Sequence, residues 1–85
     1  MKEFTYTIKD EIGIHARPAG LLVKTAKKFQ SKVTIQKGEK SADASKLMAL
    51  MGLAVKCGDE VKFTIDGPDE ETAAAELEQF MKENL

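Results

Sequence analysis

Three stretches of this chain alternate apolar and polar residues with a period of two, so each offers a single apolar face. Phe4, Tyr6 and Ile8 alternate with Glu3, Thr5, Thr7 and Lys9, Val33 and Ile35 with Thr34 and Gln36, and Val61, Phe63 and Ile65 with Lys62, Thr64 and Asp66. Successive side chains of a strand point to opposite sides, and a strand patterned this way must be covered on one face only. The cover is encoded between and after the strands. From about Ala16 to Lys28, Ala19, Leu22, Val23 and Ala26 recur at helical spacing, and Lys24, Lys27 and Lys28 load the C-terminal end with positive charge. After Asp69, a residue suited to an N-cap, Glu70 and Glu71 open a last helix with Ala73, Leu77, Phe80 and Met81 along one face. Lys37-Gly38-Glu39-Lys40 supplies a turn into a short run from Lys40 to Asp43, which makes a hairpin. Lys46 to Val55 is apolar, but Gly52 and Gly58 limit it to a short helix, and Gly67-Pro68 closes the last strand. The order is β-α-β-β-α-β-α. One open sheet with helices on one face buries all these stripes together, which predicts an α+β two-layer domain.

A chain of 85 residues, 42% of them hydrophobic, builds one core and has no room for a second, so residues 1–85 read as a single domain. Enclosed ligand pockets run to roughly 300–1,000 Å³, and a domain this small seldom holds one, which places function on the surface. The 13 basic and 14 acidic residues nearly cancel and make no electrostatic case for nucleic acid. No apolar run approaches the ~20 residues of a membrane-spanning helix. Met1-Lys2-Glu3-Phe4-Thr5 also lacks the apolar core of a signal peptide, and a cytoplasmic protein is expected. Cys57 is the lone cysteine, which excludes an internal disulfide and a cysteine-rich metal site; it reads as a packing or loop thiol. Neither metal nor cofactor is expected.

The chain holds one histidine and one arginine, two residues apart in Gly13-Ile14-His15-Ala16-Arg17-Pro18-Ala19-Gly20. Gly13 suits a turn, and proline fits a helix only within its first turn, where its missing N–H would have had no intrahelical partner. A helix therefore starts just before Pro18, with His15 near the N-cap and the backbone N–H groups of Ala16 and Arg17 free beside it. The positive end of the helix dipole favours a phosphate there and disfavours an imidazolium. A neutral imidazole can attack phosphorus, and the guanidinium of Arg17 can fork onto two phosphate oxygens without losing its charge. Gly20 leaves the next turn uncovered, at a helix cost of roughly 1 kcal/mol relative to alanine. Spacing alone also fits a plain reading, with His15 a helix cap and Arg17 a solvated charge.

The string from Gly13 to Ala19 resembles the active-site signature of the HPr family, the histidine-containing phosphocarriers of the bacterial sugar phosphotransferase system. The likeness extends over the whole chain: its length, the order of its elements, and Leu47-Met48 and Leu50-Met51 ahead of Gly58-Asp59-Glu60. The resemblance implies an open-faced β-sandwich, four antiparallel strands in the order 1-4-2-3 with three helices on one face. It implies that His15 is phosphorylated on Nδ1 by phosphorylated enzyme I, which is charged by phosphoenolpyruvate, and passes the group to IIA units of sugar permeases. Ala16, Arg17 and Pro18 would bind the phosphoryl group, with Arg17 stabilising it and Pro18 fixing the helix start. Gly20, Leu47, Met48 and Met51, flanked by Lys24 and Lys27, would form a transient docking surface for these partners on a monomeric carrier. Leu50 and Leu53 would turn inward while Met48 and Met51, flexible enough to meet several partners, turn outward.

Two positions depart from the family pattern. Ile12 stands where many relatives carry a small polar residue able to hydrogen-bond near the phosphohistidine. Lys46 stands where relatives from low-GC Gram-positive bacteria carry a regulatory serine, and Ser45 lies one residue earlier, so no regulatory serine is carried over. The competing functions are an adaptor of the same fold, a general-base enzyme using His15, and an RNA-binding α+β domain. His15, Arg17 and Pro18 together argue against the first, and the second lacks a companion acid, base or metal cluster. The third would need a basic face and exposed aromatics, whereas there are four Phe and one Tyr, most at core-facing positions.

Overall fold

In the computed structural model, which describes the chain apart from Ile12, His15 and the side chain of Ala16, the alternating stretches pair into one antiparallel sheet. Strands β1 (Lys2–Thr7), β2 (Lys32–Lys37), β3 (Lys40–Asp43) and β4 (Glu60–Asp66) lie in the order β1-β4-β2-β3. The register aligns Phe4 with Phe63, Phe63 with Ile35, and Ile35 with Ala42, an apolar row across all four strands. The rings of Phe4 and Phe63 stack nearly parallel with centroids 4.8 Å apart. Helices α1 (Ala16–Ala26), α2 (Leu47–Met51) and α3 (Glu70–Asn84) cover this face. Ala19, Leu22 and Ala26 of α1, Leu50 of α2, and Ala73, Leu77 and Met81 of α3 are buried with the inward strand residues in one core. The opposite face stays polar, with Lys62 and Glu3 forming an exposed ion pair at 3.2 Å. This is the expected α+β open-faced sandwich, β-α-β-β-α-β-α.

Element ends differ from the sequence reading for local reasons. β1 stops at Thr7, because Ile8 donates to the Asp59 carbonyl and Lys9 to that of Leu85, so the two residues leave the ladder although Ile8 remains buried. α1 stops at Ala26, two residues short of Lys28; Lys28 and Phe29 donate three residues back, to Thr25 and Ala26, in a tightened last turn. α2 covers only Leu47–Met51 of the stretch read as Lys46 to Val55: Gly52 is its C-cap, and Ala54 turns left-handed at φ 52°.

Asp69 precedes α3 as expected but does not cap it through its side chain. Its carboxylate accepts the backbone N–H of Gln30 at 2.9 Å and the hydroxyl of Ser31 instead. The end of β4 is close enough for this because Gly67 lies against Ser31, where a Cβ would come within 2.5 Å of the Ser31 Cα. Glu70 reaches back from the helix start to accept the Gly67 N–H at 3.3 Å. Asp69 thus ties the α1–β2 connection to α3.

The Ser31 hydroxyl first, and the Gln30 N–H second, hold the Asp69 carboxyl below the usual carboxylate range. A carboxyl depressed on folding adds stability that is present above the unfolded-state pKa, about 3.9, and is lost as pH falls through the lower folded-state value. Asp69→Asn is expected to unfold at lower urea than the wild type at pH 7 while keeping the same fold. The gap between the two should close as pH falls below about 4, which urea titrations at several pH values will measure.

Candidate functional site

The chain enters α1 over a backbone that only glycine permits. Gly13 has φ 84°, and a Cβ there would sit 2.4 Å from the Val55 carbonyl oxygen and 2.6 Å from the Lys56 Cα. Gly13 donates to the Asp10 carbonyl at 3.0 Å, and Ile14, with its side chain buried, donates to the Val55 carbonyl at 3.1 Å. The helix then begins at Ala16, which puts Pro18 in its first turn as expected, buried against the fold, while Arg17 is exposed. Arg17 and Pro18 line an open depression of about 180 Å³ together with Asp10, Leu21 and Asn84. The sequence-predicted acceptor His15 and its neighbour Ile12 lie outside the described residues. What surrounds them in sequence is a helix start, with its positive dipole end, and a guanidinium beside an open hollow.

The expected docking residues come together across α1 and α2. Met48 is 83% exposed, Leu47 42% and Met51 36%, whereas Leu50 is fully buried and Leu53 nearly so, the inward and outward division expected of this segment. Lys24 on α1 and Lys27 just past its end are exposed, and apart from the helix's own backbone no described atom lies within 4 Å of where a Gly20 Cβ would be, so that turn is open to close approach. Sequence reasoning missed Leu21, which is 45% exposed and borders the depression. It falls off the stripe of Ala19, Leu22, Val23 and Ala26, and that was the available signal. Asp10 and Asn84 were missed as well; they reach the hollow from distant parts of the chain, which no local pattern announces.

Lys46 stands at the N-cap of α2 and makes no side-chain cap. Ser45 is held by its neighbour: its hydroxyl donates to Asp43 Oδ1 at 2.6 Å and its N–H to the same oxygen at 2.9 Å. The Ser45 hydroxyl first, then its N–H, keeps the Asp43 carboxyl below the usual carboxylate range. A phosphate on this hydroxyl would lose its carboxylate partner and face it as a like charge. Cys57 is exposed in the loop before β4, its Sγ 3.8 Å from the Lys9 carbonyl oxygen. Among the described residues no group of three or more His, Cys, Asp or Glu is placed to hold a metal ion, and no helix is long and apolar enough to cross a membrane.

The described residues thus offer an open hollow with an arginine in the first turn of α1 and an exposed apolar surface on α2. Comparison with known proteins gives the family. Residues 2–83 match the family model of the PTS HPr component phosphorylation site. The phosphocarrier protein HPr of Mycoplasma capricolum is 40% identical over 81 residues, which cover 95% of this chain and 91% of that protein. The structure of HPr from Thermoanaerobacter tengcongensis matches with a TM-score of 0.92 at 43% identity, covering 96% of this chain and 92% of that one. An HPr dimer from the same organism matches with a TM-score of 0.78 at 42% identity, covering 98% and 95%. The chain belongs to the HPr family, the phosphocarriers of the phosphotransferase system, and is a carrier rather than an enzyme.

The two backbone positions that shape the approach to α1 give opposite expectations. Ala54 is exposed and left-handed, a conformation that costs an L-residue about 1–2 kcal/mol and glycine far less. Ala54→Gly should raise the thermal midpoint by a few degrees. Gly13→Ala should lower stability by more than about 2 kcal/mol, since a left-handed backbone and steric overlap add. Calorimetry of both variants checks the pair.

Proposed function

We propose that His15 accepts a phosphoryl group on Nδ1 from phosphorylated enzyme I and passes it to IIA units of sugar permeases, the protein acting as a monomer in the cytoplasm. The observation that carries this reading is the helix start at Ala16, directly after His15 in sequence, with Arg17 and Pro18 in its first turn beside the open hollow. The neutral imidazole attacks with its Nδ1 lone pair, the bond between phosphorus and the donor breaks, and the donor leaves with the electron pair. The dianionic product sits at the positive end of α1, where the first-turn N–H groups and the Arg17 guanidinium compensate its charge. The hollow is smaller than the pockets that enclose small ligands, which suits a group delivered by a partner protein rather than a free substrate. Leu47, Met48 and Met51 supply an exposed apolar contact for that partner, with open Gly20 and the exposed Lys24 and Lys27 as its further members.

Incubation with enzyme I and labelled phosphoenolpyruvate tests the acceptor. The wild type is expected to take up one acid-labile, alkali-stable phosphoryl group and His15→Ala none, with the fold retained by circular dichroism. Arg17→Lys keeps the charge but loses the planar fork, and its transfer should slow by about tenfold or more. Label on folded His15→Ala would defeat the proposal.

Met48→Asp places a charge in the apolar contact without touching the core. The Michaelis constant of enzyme I for the carrier should rise about tenfold while thermal stability stays near the wild type. Serine control of the usual kind should be absent, with Lys46 in the serine's place and the Ser45 hydroxyl engaged by Asp43. A regulatory serine kinase should leave the chain unlabelled. Lys46→Glu should weaken transfer from enzyme I, and the loss should shrink as salt rises.

A further inference from the structure

Lys37 ends β2 and reaches towards the segment between α2 and β4. Its Nζ donates to the carbonyl oxygens of Ala54 at 2.9 Å and Leu53 at 3.4 Å and pairs with Asp59 Oδ2 at 3.0 Å. The same Asp59 oxygen accepts the Lys56 N–H at 2.9 Å. One ammonium therefore fastens both ends of residues 53–59, including left-handed Ala54. The Lys56 N–H first, and Lys37 second, hold the Asp59 carboxyl below the usual carboxylate range.

Residues 53–59 in turn support the segment that leads to His15. At its near end Ile8 donates to the Asp59 carbonyl at 2.9 Å, and Gly58 donates to the Ile8 carbonyl at 2.8 Å. At its far end Ile14 donates to the Val55 carbonyl at 3.1 Å, and Gly13 rests against Val55 and Lys56 too closely to admit a Cβ. The chain from Ile8 to Ile14 thus hangs at both ends on a loop that Lys37 ties to the sheet. A half-exposed ion pair adds little to global stability, so the effect of Lys37 is concentrated in this local support.

We infer that Lys37 is a positioning residue for phosphoryl acceptance, acting through residues 53–59 on the backbone of Gly13 and Ile14 immediately before His15. The inference rests on the reading of His15 as the acceptor. In-line transfer between two proteins needs the nucleophile held close to the attack geometry, and a displacement of about 1 Å can cost up to about a hundredfold in rate. Lys37 is not itself one of the docking residues, and its bonds go to the carbonyls of Leu53 and Ala54 beyond Met51, so its loss is expected to slow transfer within the complex more than it weakens association.

The test is transfer from phosphorylated enzyme I to Lys37→Met, Lys37→Arg and the control Lys62→Met, which breaks the ion pair with Glu3 on the open face. Lys37→Met is expected to lower the rate at saturating carrier by about tenfold or more with the Michaelis constant within about twofold of the wild type. Lys37→Arg, which keeps a cation and several donors, should recover most of the rate, and Lys62→Met should transfer like the wild type. Hydrogen exchange should quicken at the Ile14 amide of Lys37→Met relative to the Phe63 amide, whether or not the protein is ever phosphorylated. If Lys37→Met does not fold, Asp59→Asn, which removes the ion pair but spares the carbonyl bonds, should show the same split with a smaller loss. Wild-type rates in folded Lys37→Met, or an equal loss in Lys62→Met, would overturn the inference. A wild type that takes no label would defeat the acceptor reading itself, and unchanged Ile14 exchange would defeat the positioning one.

Discussion

Phe63 sits fully buried in the middle of β4, opposite Phe4 on one side and Ile35 on the other, and the rest of the structure is arranged around that row. Burying a side chain of this size removes enough apolar surface from water to contribute a few kcal/mol, and its stacked partner adds to that. The row also dictates topology. β4, last of the strands in sequence, is inserted between β1 and β2, so the loop entering β4 meets the loop leaving β1. The hydrogen bonds of Ile8 and Ile14 to that loop follow from the insertion, and with them the direction in which the chain enters α1.

A carrier has requirements different from those of an enzyme. It must hold a reactive group firmly enough to avoid losing it to water, yet surrender it to the next protein, so the group belongs on the surface rather than in a closed cavity. On the proposed reading that place is the start of α1, where Arg17 borders an open hollow of about 180 Å³. Exposed apolar side chains remain on the outer sides of two helices, Leu21 on α1 and Leu47, Met48 and Met51 on α2, which are buried in the core through Leu22 and Leu50. Each helix is thereby anchored by one face and available by the other, and exposed methionines let that surface adapt to more than one partner.

Much of this was legible in the sequence because it is periodic. The alternation around Phe4, Val33 and Phe63 shows strands, the stripes of α1 and α3 show their buried faces, and Pro18 places a helix start within a residue or two. Gly52, read as limiting α2, is its C-cap, whereas the left-handed turn at Ala54 that follows was not legible in the apolar pattern. Asp69 looked like a cap by residue type, yet its carboxylate was drawn to Ser31 and Gln30, partners that only packing brings near. The family resemblance supplied the strand order and the roles expected of His15, Arg17 and the docking residues, which spacing alone left open.

The chain by itself determined which faces are buried, where α1 starts, and that one histidine and one arginine stand together at that start, because these depend on neighbours within a few residues. Only the tertiary structure decided that Asp10, Leu21 and Asn84 share a hollow with Arg17, and that Lys37 holds residues 53–59 beneath Gly13 and Ile14. Each of these contacts joins residues far apart in the chain. Their meeting is set by the insertion of β4 between β1 and β2, a consequence of burying three apolar faces at once that no local pattern encodes.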